Sequence, residues 1–161
     1  MAVVDGELLN KIYFELKRQK LTIATAESCT GGLIGHTLTN VSGSSEYFER
    51  GIISYSNTAK VELLGVSESL LKEQVAVSEE VAKTMAENVR KRSDVNIGIS
   101  TTGIAGPLGG TKEKPVGLVY IGVSTEKDNI VKKFIFTGDR IQNKVSTCNV
   151  ALNMLLEILT S

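Results

Sequence analysis

The chain has 161 residues, 42% hydrophobic and 22% charged, which is ordinary globular composition and length for one domain. Eighteen Lys and Arg balance eighteen Asp and Glu, so the basic excess of nucleic-acid binders and membrane-surface proteins is missing. One histidine (His36) and two distant cysteines (Cys29 and Cys148) make a metal site or a Ser-His-Asp triad hard to build and suggest reduced thiols. No apolar run approaches the ~20 residues that span a bilayer, and Met1–Glu7 lacks the parts of a signal peptide. The expectation is a cytoplasmic protein that meets neither membrane nor nucleic acid.

From Asp5 to about Lys20, Leu8, Leu9, Ile12 and Leu16 fall at helical spacing, with Asp5 as N-cap. Thr22–Ala26 predicts a short buried strand. Glu27–Gly32 turns into a second helix with Leu33, Ile34, Thr37 and Leu38 on its apolar face, followed by a polar loop at Ser42–Ser45. Gly51–Tyr55 predicts the next strand. Asn57 can cap a short helix that runs through Leu64 and stops at Gly65.

Ser67 and Ser78 are the next N-cap candidates. After Ser78, Glu79 and Glu80 open a helix that Arg90, Lys91 and Arg92 close, as the helix dipole favours. Val95–Ser100 predicts a central strand running into a Gly/Pro-rich loop, Thr102–Pro115. Val116–Ser124 and Ile130–Phe136 predict an antiparallel pair joined by the polar turn Glu126–Asn129. Val145, Cys148, Leu152, Leu155, Leu156 and Leu159 mark a long amphipathic C-terminal helix. The order implies one three-layer α/β domain over 1–161 with a mixed sheet.

Three segments could carry chemistry. In Glu27-Ser-Cys-Thr-Gly-Gly32, between strand and helix, small residues allow a tight turn and the helix start offers N–H groups. Ser28 or Thr30 there either caps the helix or meets a ligand at the carboxyl edge of the sheet. In Tyr55-Ser-Asn-Thr-Ala-Lys60, a lysine in a first helical turn meets the positive dipole end, which favours the neutral amine; the alternative is a solvated surface lysine. Thr101–Pro107, with Gly109 and Gly110, leaves the central strand in a loop that lets backbone approach a ligand, and it matches no phosphate-loop pattern.

Cys29 at a helix start would have a lowered pKa. Its only histidine, His36, lies seven residues along the same helix, roughly 10 Å away at 1.5 Å per residue, too far for a base. Serine needs a base too, and Ser-Lys pairs are an established solution. Lys60, at the edge of a neighbouring strand, could face Ser28. Neutral Lys60 would take the hydroxyl proton, Ser28 would attack a carbonyl, and elbow N–H groups would hold the oxyanion.

E-S-C-T-G-G at Glu27–Gly32, G-S-S-x-Y-F-x-R-G at Gly43–Gly51, Y-S-N-x-x-K at Tyr55–Lys60, T-G-I-A-G-P at Thr102–Pro107, K-P-V-G at Lys114–Gly117 and G-D-R at Gly138–Arg140 occur in this order. In this, the chain resembles the CinA C-terminal domain family, which includes stand-alone nicotinamide-nucleotide amidohydrolases (NMN deamidases). The resemblance implies an α/β/α fold similar to anticodon-binding-like domains, with about five strands. It also implies hydrolysis of the amide of nicotinamide mononucleotide to nicotinate mononucleotide and ammonia, without metal or organic cofactor, in pyridine-nucleotide salvage. By motif, Ser28 is the nucleophile and Lys60 its base. Tyr55, Thr102, Gly103 and Ser45 line the site, and Arg140 contacts the phosphate of the small-molecule substrate. Many members have H-G-A-V-S where this chain has Gln74-Val-Ala-Val-Ser78, and a second arginine where it has Lys144.

Family habit and the apolar C-terminal helix imply a homodimer. Another class of function is a nucleotide-binding module without catalysis, linked to competence or DNA damage. An RNA-binding module follows from fold analogy alone, and zero net charge counts against it. Whether the lysine serves a covalent acyl-enzyme or activates water directly is open at this level.

Overall fold

Asp5 starts the first helix by accepting the Glu7 N–H on its side chain, and Leu8, Ile12 and Leu16 form the buried stripe. The computed structural model describes residues 4–161, with this helix (α1) at Gly6–Gln19. The remaining elements follow as β1 (Ile23–Glu27), α2 (Leu33–Leu38), a 3-10 turn at Ser44–Glu46, β2 (Phe48–Ile53), α3 (Asn57–Leu64) and α4 (Glu68–Gln74). Then come α5 (Glu79–Ser93), β3 (Ile97–Gly103), β4 (Leu118–Ser124), β5 (Asn129–Ile135) and α6 (Arg140–Thr160).

The strands form one mixed sheet in the order β2-β1-β3-β4-β5. β1 runs parallel to both β2 and β3, while β4 and β5 add antiparallel. Because β1 has strands on both edges and helices on both faces, all five of its residues are buried. Ile23, Ile97, Ile99 and Ile121 pack against α1, α2 and α6 on one face. Ala24 and Ala26 pack against Leu64, Leu71, Met85 and Val89 of α3, α4 and α5 on the other. The expected three-layer α/β arrangement is present.

Several boundaries differ from the sequence expectations. The second strand is Phe48–Ile53 rather than Gly51–Tyr55, because register with β1 pairs Ile23 with Phe48 and Glu27 with Ile53. As an edge strand it exposes Glu49, Arg50 and Gly51, so it lacks the apolar pattern that marks a buried strand. Ser56, not Asn57, caps α3: its backbone is extended and its Oγ accepts from the Ala59 N–H. β3 runs on through Gly103, because Thr102 and Gly103 pair with Tyr120 and Val119 of β4. α6 begins at Arg140, under a capping box of Asp139 and Gln142. Its apolar stripe is spent within the chain, with Cys148, Leu152, Leu155 and Leu159 in the core, so that stripe is not available to a second copy.

Val75, which follows α4, has φ 57° and ψ 167°. That conformation suits glycine and costs a β-branched residue about 1–3 kcal/mol. The surroundings impose it. Ser78 Oγ donates to the Val75 carbonyl at 2.9 Å, Thr102 Oγ1 to the Ala76 carbonyl at 2.8 Å, and Lys114 Nζ to the Val77 carbonyl. Glycine loses more backbone freedom on folding, about 0.5–1 kcal/mol. Val75→Gly, which restores the glycine of H-G-A-V-S, is therefore expected to stabilise the protein by about 1 kcal/mol net, read as a higher urea midpoint.

Candidate active site

β1 ends at Glu27, and the chain turns through Gly31 (φ 60°) and Gly32 (φ 101°) before α2 begins. Two consecutive positive φ values require glycine, which explains the Gly-Gly of the motif. The turn leaves Ser28 at the carboxyl edge of the sheet, its N–H donating to the Thr101 carbonyl of β3 at 3.0 Å. Its neighbour in space is Lys60, 32 residues away, in the first turn of α3.

Lys60 Nζ lies 3.0 Å from Ser28 Oγ, 2.8 Å from the Ser54 carbonyl and 3.5 Å from the Tyr55 carbonyl. An ammonium there donates to all three oxygens. A neutral amine keeps its two N–H groups on the carbonyls and turns its lone pair to the Ser28 hydroxyl, the arrangement a base needs. Lys60 is only 1% exposed, and burial holds its ammonium below the ordinary lysine range, with the nearby Cys29 acting weakly the other way. Ser28 is 7% exposed, so a substrate reaches the serine before the lysine.

Cys29 is buried beside this pair, and burial pushes its thiol up to about 11. Almost no thiolate exists at neutral pH, so the pKa lowering expected of a helix start is absent. His36 is exposed on α2, where it lines a cavity of about 660 Å³ with Val4, Leu33, Ile141 and Lys144. That cavity opens between α1, α2 and α6, on the face of the sheet away from α3, and it includes neither Ser28 nor Lys60.

Neither Ser28 nor Thr30 caps α2. Glu27 does: its buried carboxylate accepts the N–H groups of Ile34 at 2.9 Å and Gly35 at 3.0 Å, and the Thr30 hydroxyl at 2.6 Å. Three N–H groups of the first turn are thereby used, since Leu33 N–H donates to the Thr30 carbonyl. Among the described residues, the N–H groups of Cys29 and Thr30 donate to no backbone carbonyl, which makes them, rather than the helix end, the candidate donors to an oxyanion. The legible clue to Glu27 was the side-chain-free N-cap, Gly32, which leaves the helix start to another donor of charge.

Of the lining residues, Tyr55 and Arg140 come together. Arg140 donates to the Tyr55 hydroxyl at 2.9 Å and to the Gly106 carbonyl at 2.7 Å, and it has no acidic partner among the described residues. Lys144 Nζ lies 3.4 Å from where a side chain on Gly31 would begin. Thr102 is at the same sheet edge, with its hydroxyl on Ala76. Gly103 has a packing reason, because a Cβ there would come 2.7 Å from both the Leu118 carbonyl and a Val119 methyl.

Ser45 is not brought to this site. Its 3-10 turn precedes the start of β2, which pairs with the start of β1, so Ser45 lies at the amino edge of the parallel strands. Lys17 of α1 confirms the location by pairing with the adjacent Glu46 at 3.4 Å. No group of three or more His, Cys, Asp or Glu able to hold a metal occurs among the described residues, and none of their helices is long and apolar enough to cross a membrane.

The model of the CinA C-terminal domain matches residues 5–159. A CinA-like protein of Syntrophus aciditrophicus is 51% identical over 158 residues, which cover 98% of this chain and 38% of that protein. The chain spans less than two fifths of the length of the curated relatives it matches. Among solved structures, the competence/damage inducible protein CihA of Agrobacterium tumefaciens superposes with a TM-score of 0.94 at 37% identity, covering all of both chains. A CinA superfamily protein of Escherichia coli gives 0.91 at 30% identity, covering 98% of this chain and 94% of the other.

Proposed function

Because the chain belongs to the CinA C-terminal domain family, we propose that it hydrolyses the carboxamide of nicotinamide mononucleotide, releasing ammonia and nicotinate mononucleotide. The observation that carries this proposal is the Ser28–Lys60 contact of 3.0 Å, with the lysine buried and its pKa lowered. A lysine that served only packing would more cheaply be methionine, because burying an amine without an acidic partner costs stability.

In the proposed reaction, neutral Lys60 takes the Ser28 proton as Oγ bonds to the amide carbon. The oxyanion is met by the N–H groups of Cys29 and Thr30. Lys60 returns the proton to the departing nitrogen, ammonia leaves, and an ester on Ser28 remains. Water, giving its proton to Lys60, then attacks the ester. Nicotinate mononucleotide departs and Ser28 regains its hydrogen. Every proton passes through one amine, so no histidine and no metal is needed.

Arg140, with two of its donors fixed on Tyr55 and Gly106, has others to offer the phosphate, and Lys144 supplies a second cation near the elbow. Arg140→Ala is expected to raise KM for the mononucleotide about tenfold or more while changing kcat less, because the phosphate is bound equally in ground and transition states. Steady-state kinetics check this. Incubating the purified protein with nicotinamide mononucleotide and measuring ammonia and the acid product tests the function itself. Nucleotide retained without ammonia release would instead favour a non-catalytic binding module. The proposal includes a homodimer in the cytoplasm, with a contact other than the core-facing stripe of α6.

A further inference from the structure

Glu27 is 1% exposed and stands immediately before the proposed nucleophile. An isolated buried carboxylate is costly, and a sequence keeps one only where it is fully bonded. Here the bonds of Glu27 hold the start of α2, and one of them, through Thr30 and Thr101, reaches the Ser28 backbone. The carboxylate holds Ile34 N–H, Gly35 N–H and the Thr30 hydroxyl, which fixes the start of α2 and with it the far end of the elbow. Thr30 Oγ1 also lies 2.8 Å from Thr101 Oγ1, and the Thr101 carbonyl accepts the Ser28 N–H. On its other side, the Glu27 carbonyl accepts the Ser54 N–H at 2.9 Å, and the Ser54 carbonyl is the nearest acceptor of Lys60. One residue thus anchors both the strand turn that carries the serine and the strand end that carries the acceptor of the lysine.

We propose that Glu27 is a positioning residue, whose buried carboxylate, acting through Thr30 and Thr101, sets the elbow so that Ser28 Oγ meets the Lys60 amine. It touches neither substrate nor the reacting atoms, and its carboxylate points into α2 rather than toward Lys60. It therefore governs how often the hydroxyl is in line, not how basic the amine is. This rests on Ser28 and Lys60 being the reacting pair proposed above.

The test uses a substrate-independent readout, the rate at which a fluorophosphonate probe labels Ser28, alongside kcat and KM for nicotinamide mononucleotide. Glu27→Gln keeps the shape but sets an amide N–H against the N–H of Gly35. It is expected to slow labelling and kcat together by about 10²-fold, the scale of a misplacement of about 1 Å, with KM within about threefold and the pH midpoint of labelling unchanged. Thr30→Val, which removes only the relaying hydroxyl, is expected to shift the same quantities in the same sense. The double variant should be no slower than Glu27→Gln alone, since both act through one chain of bonds.

Labelling by Glu27→Gln at the wild-type rate would overturn the proposal. So would a moved pH midpoint, which would make Glu27 an electrostatic partner of Lys60, or losses that match only the unfolded fraction seen by circular dichroism. A wild-type protein labelled at Ser28 that leaves the mononucleotide intact would refute the substrate and leave the positioning role standing. No labelling of the wild type would refute both.

Discussion

Lys60→Met is expected to lower ammonia release by about 10³-fold or more, the scale of a lost general base, and at the same time to change how stability depends on pH. Methionine has similar length and no branch, so it fills the space without a charge. Burial lowers the Lys60 pKa in the folded state, whereas in the unfolded chain the amine keeps its ordinary value of 10.5. Between these two values the unfolded state binds more protons, so stability rises with pH there, by at most about 1.36 kcal/mol per pH unit. Below the lowered value both states carry the proton and the slope vanishes.

The methionine variant lacks this contribution. Its stability subtracted from that of the wild type should therefore climb with pH through the window and lie flat below it. Urea denaturation of both proteins at a series of pH values from about 6 to 10 would measure the difference. A difference that stays flat throughout would mean that Lys60 titrates as a solvated lysine, and its role as base would fall.

The second large effect concerns the nucleophile. Ser28→Ala should reduce turnover by about 10³-fold or more while costing only about 1 kcal/mol of stability, because the buried hydroxyl makes one hydrogen bond and Lys60 keeps the Ser54 carbonyl as acceptor. Cys29 offers no rescue, since burial pushes its thiol up to about 11 and leaves almost no thiolate at neutral pH. In the wild type, kcat/KM should rise with pH as Lys60 loses its proton and then level off, because the neutral amine is the base. The midpoint of that rise must coincide with the lower edge of the stability window of the wild type relative to Lys60→Met. Two independent measurements, one of rate and one of folding, then report the same titration. Turnover that persists in Ser28→Ala, or a pH–rate profile without an acid limb, would exclude the serine mechanism.

Much of the architecture was legible because it rests on short-range patterns. The stripe Leu8, Ile12, Leu16, the serine caps before α4 and α5 and the Gly65 stop are decided within a few residues of the chain, and the structure has them where expected. β2 was misplaced for the opposite reason. An edge strand is paired by backbone on one side and need not be apolar, so Glu49 and Arg50 hid its start. Ser45 was assigned by motif, and a motif carries no information about which end of a strand its residues occupy.

The sequence by itself determined the residue types of the site: a hydroxyl at a strand-to-helix turn, a lysine in a first helical turn, and, through the family resemblance, the arginine of the G-D-R motif. Only the tertiary structure decided that parallel pairing of β1 with β2 and β3 brings the first two within 3.0 Å, buries the amine, and spends the start of α2 on Glu27 instead of a ligand. The physical reason is that the chemistry depends on distance and desolvation between segments 32 residues apart. Those quantities are set by strand register and packing, which local propensity does not encode.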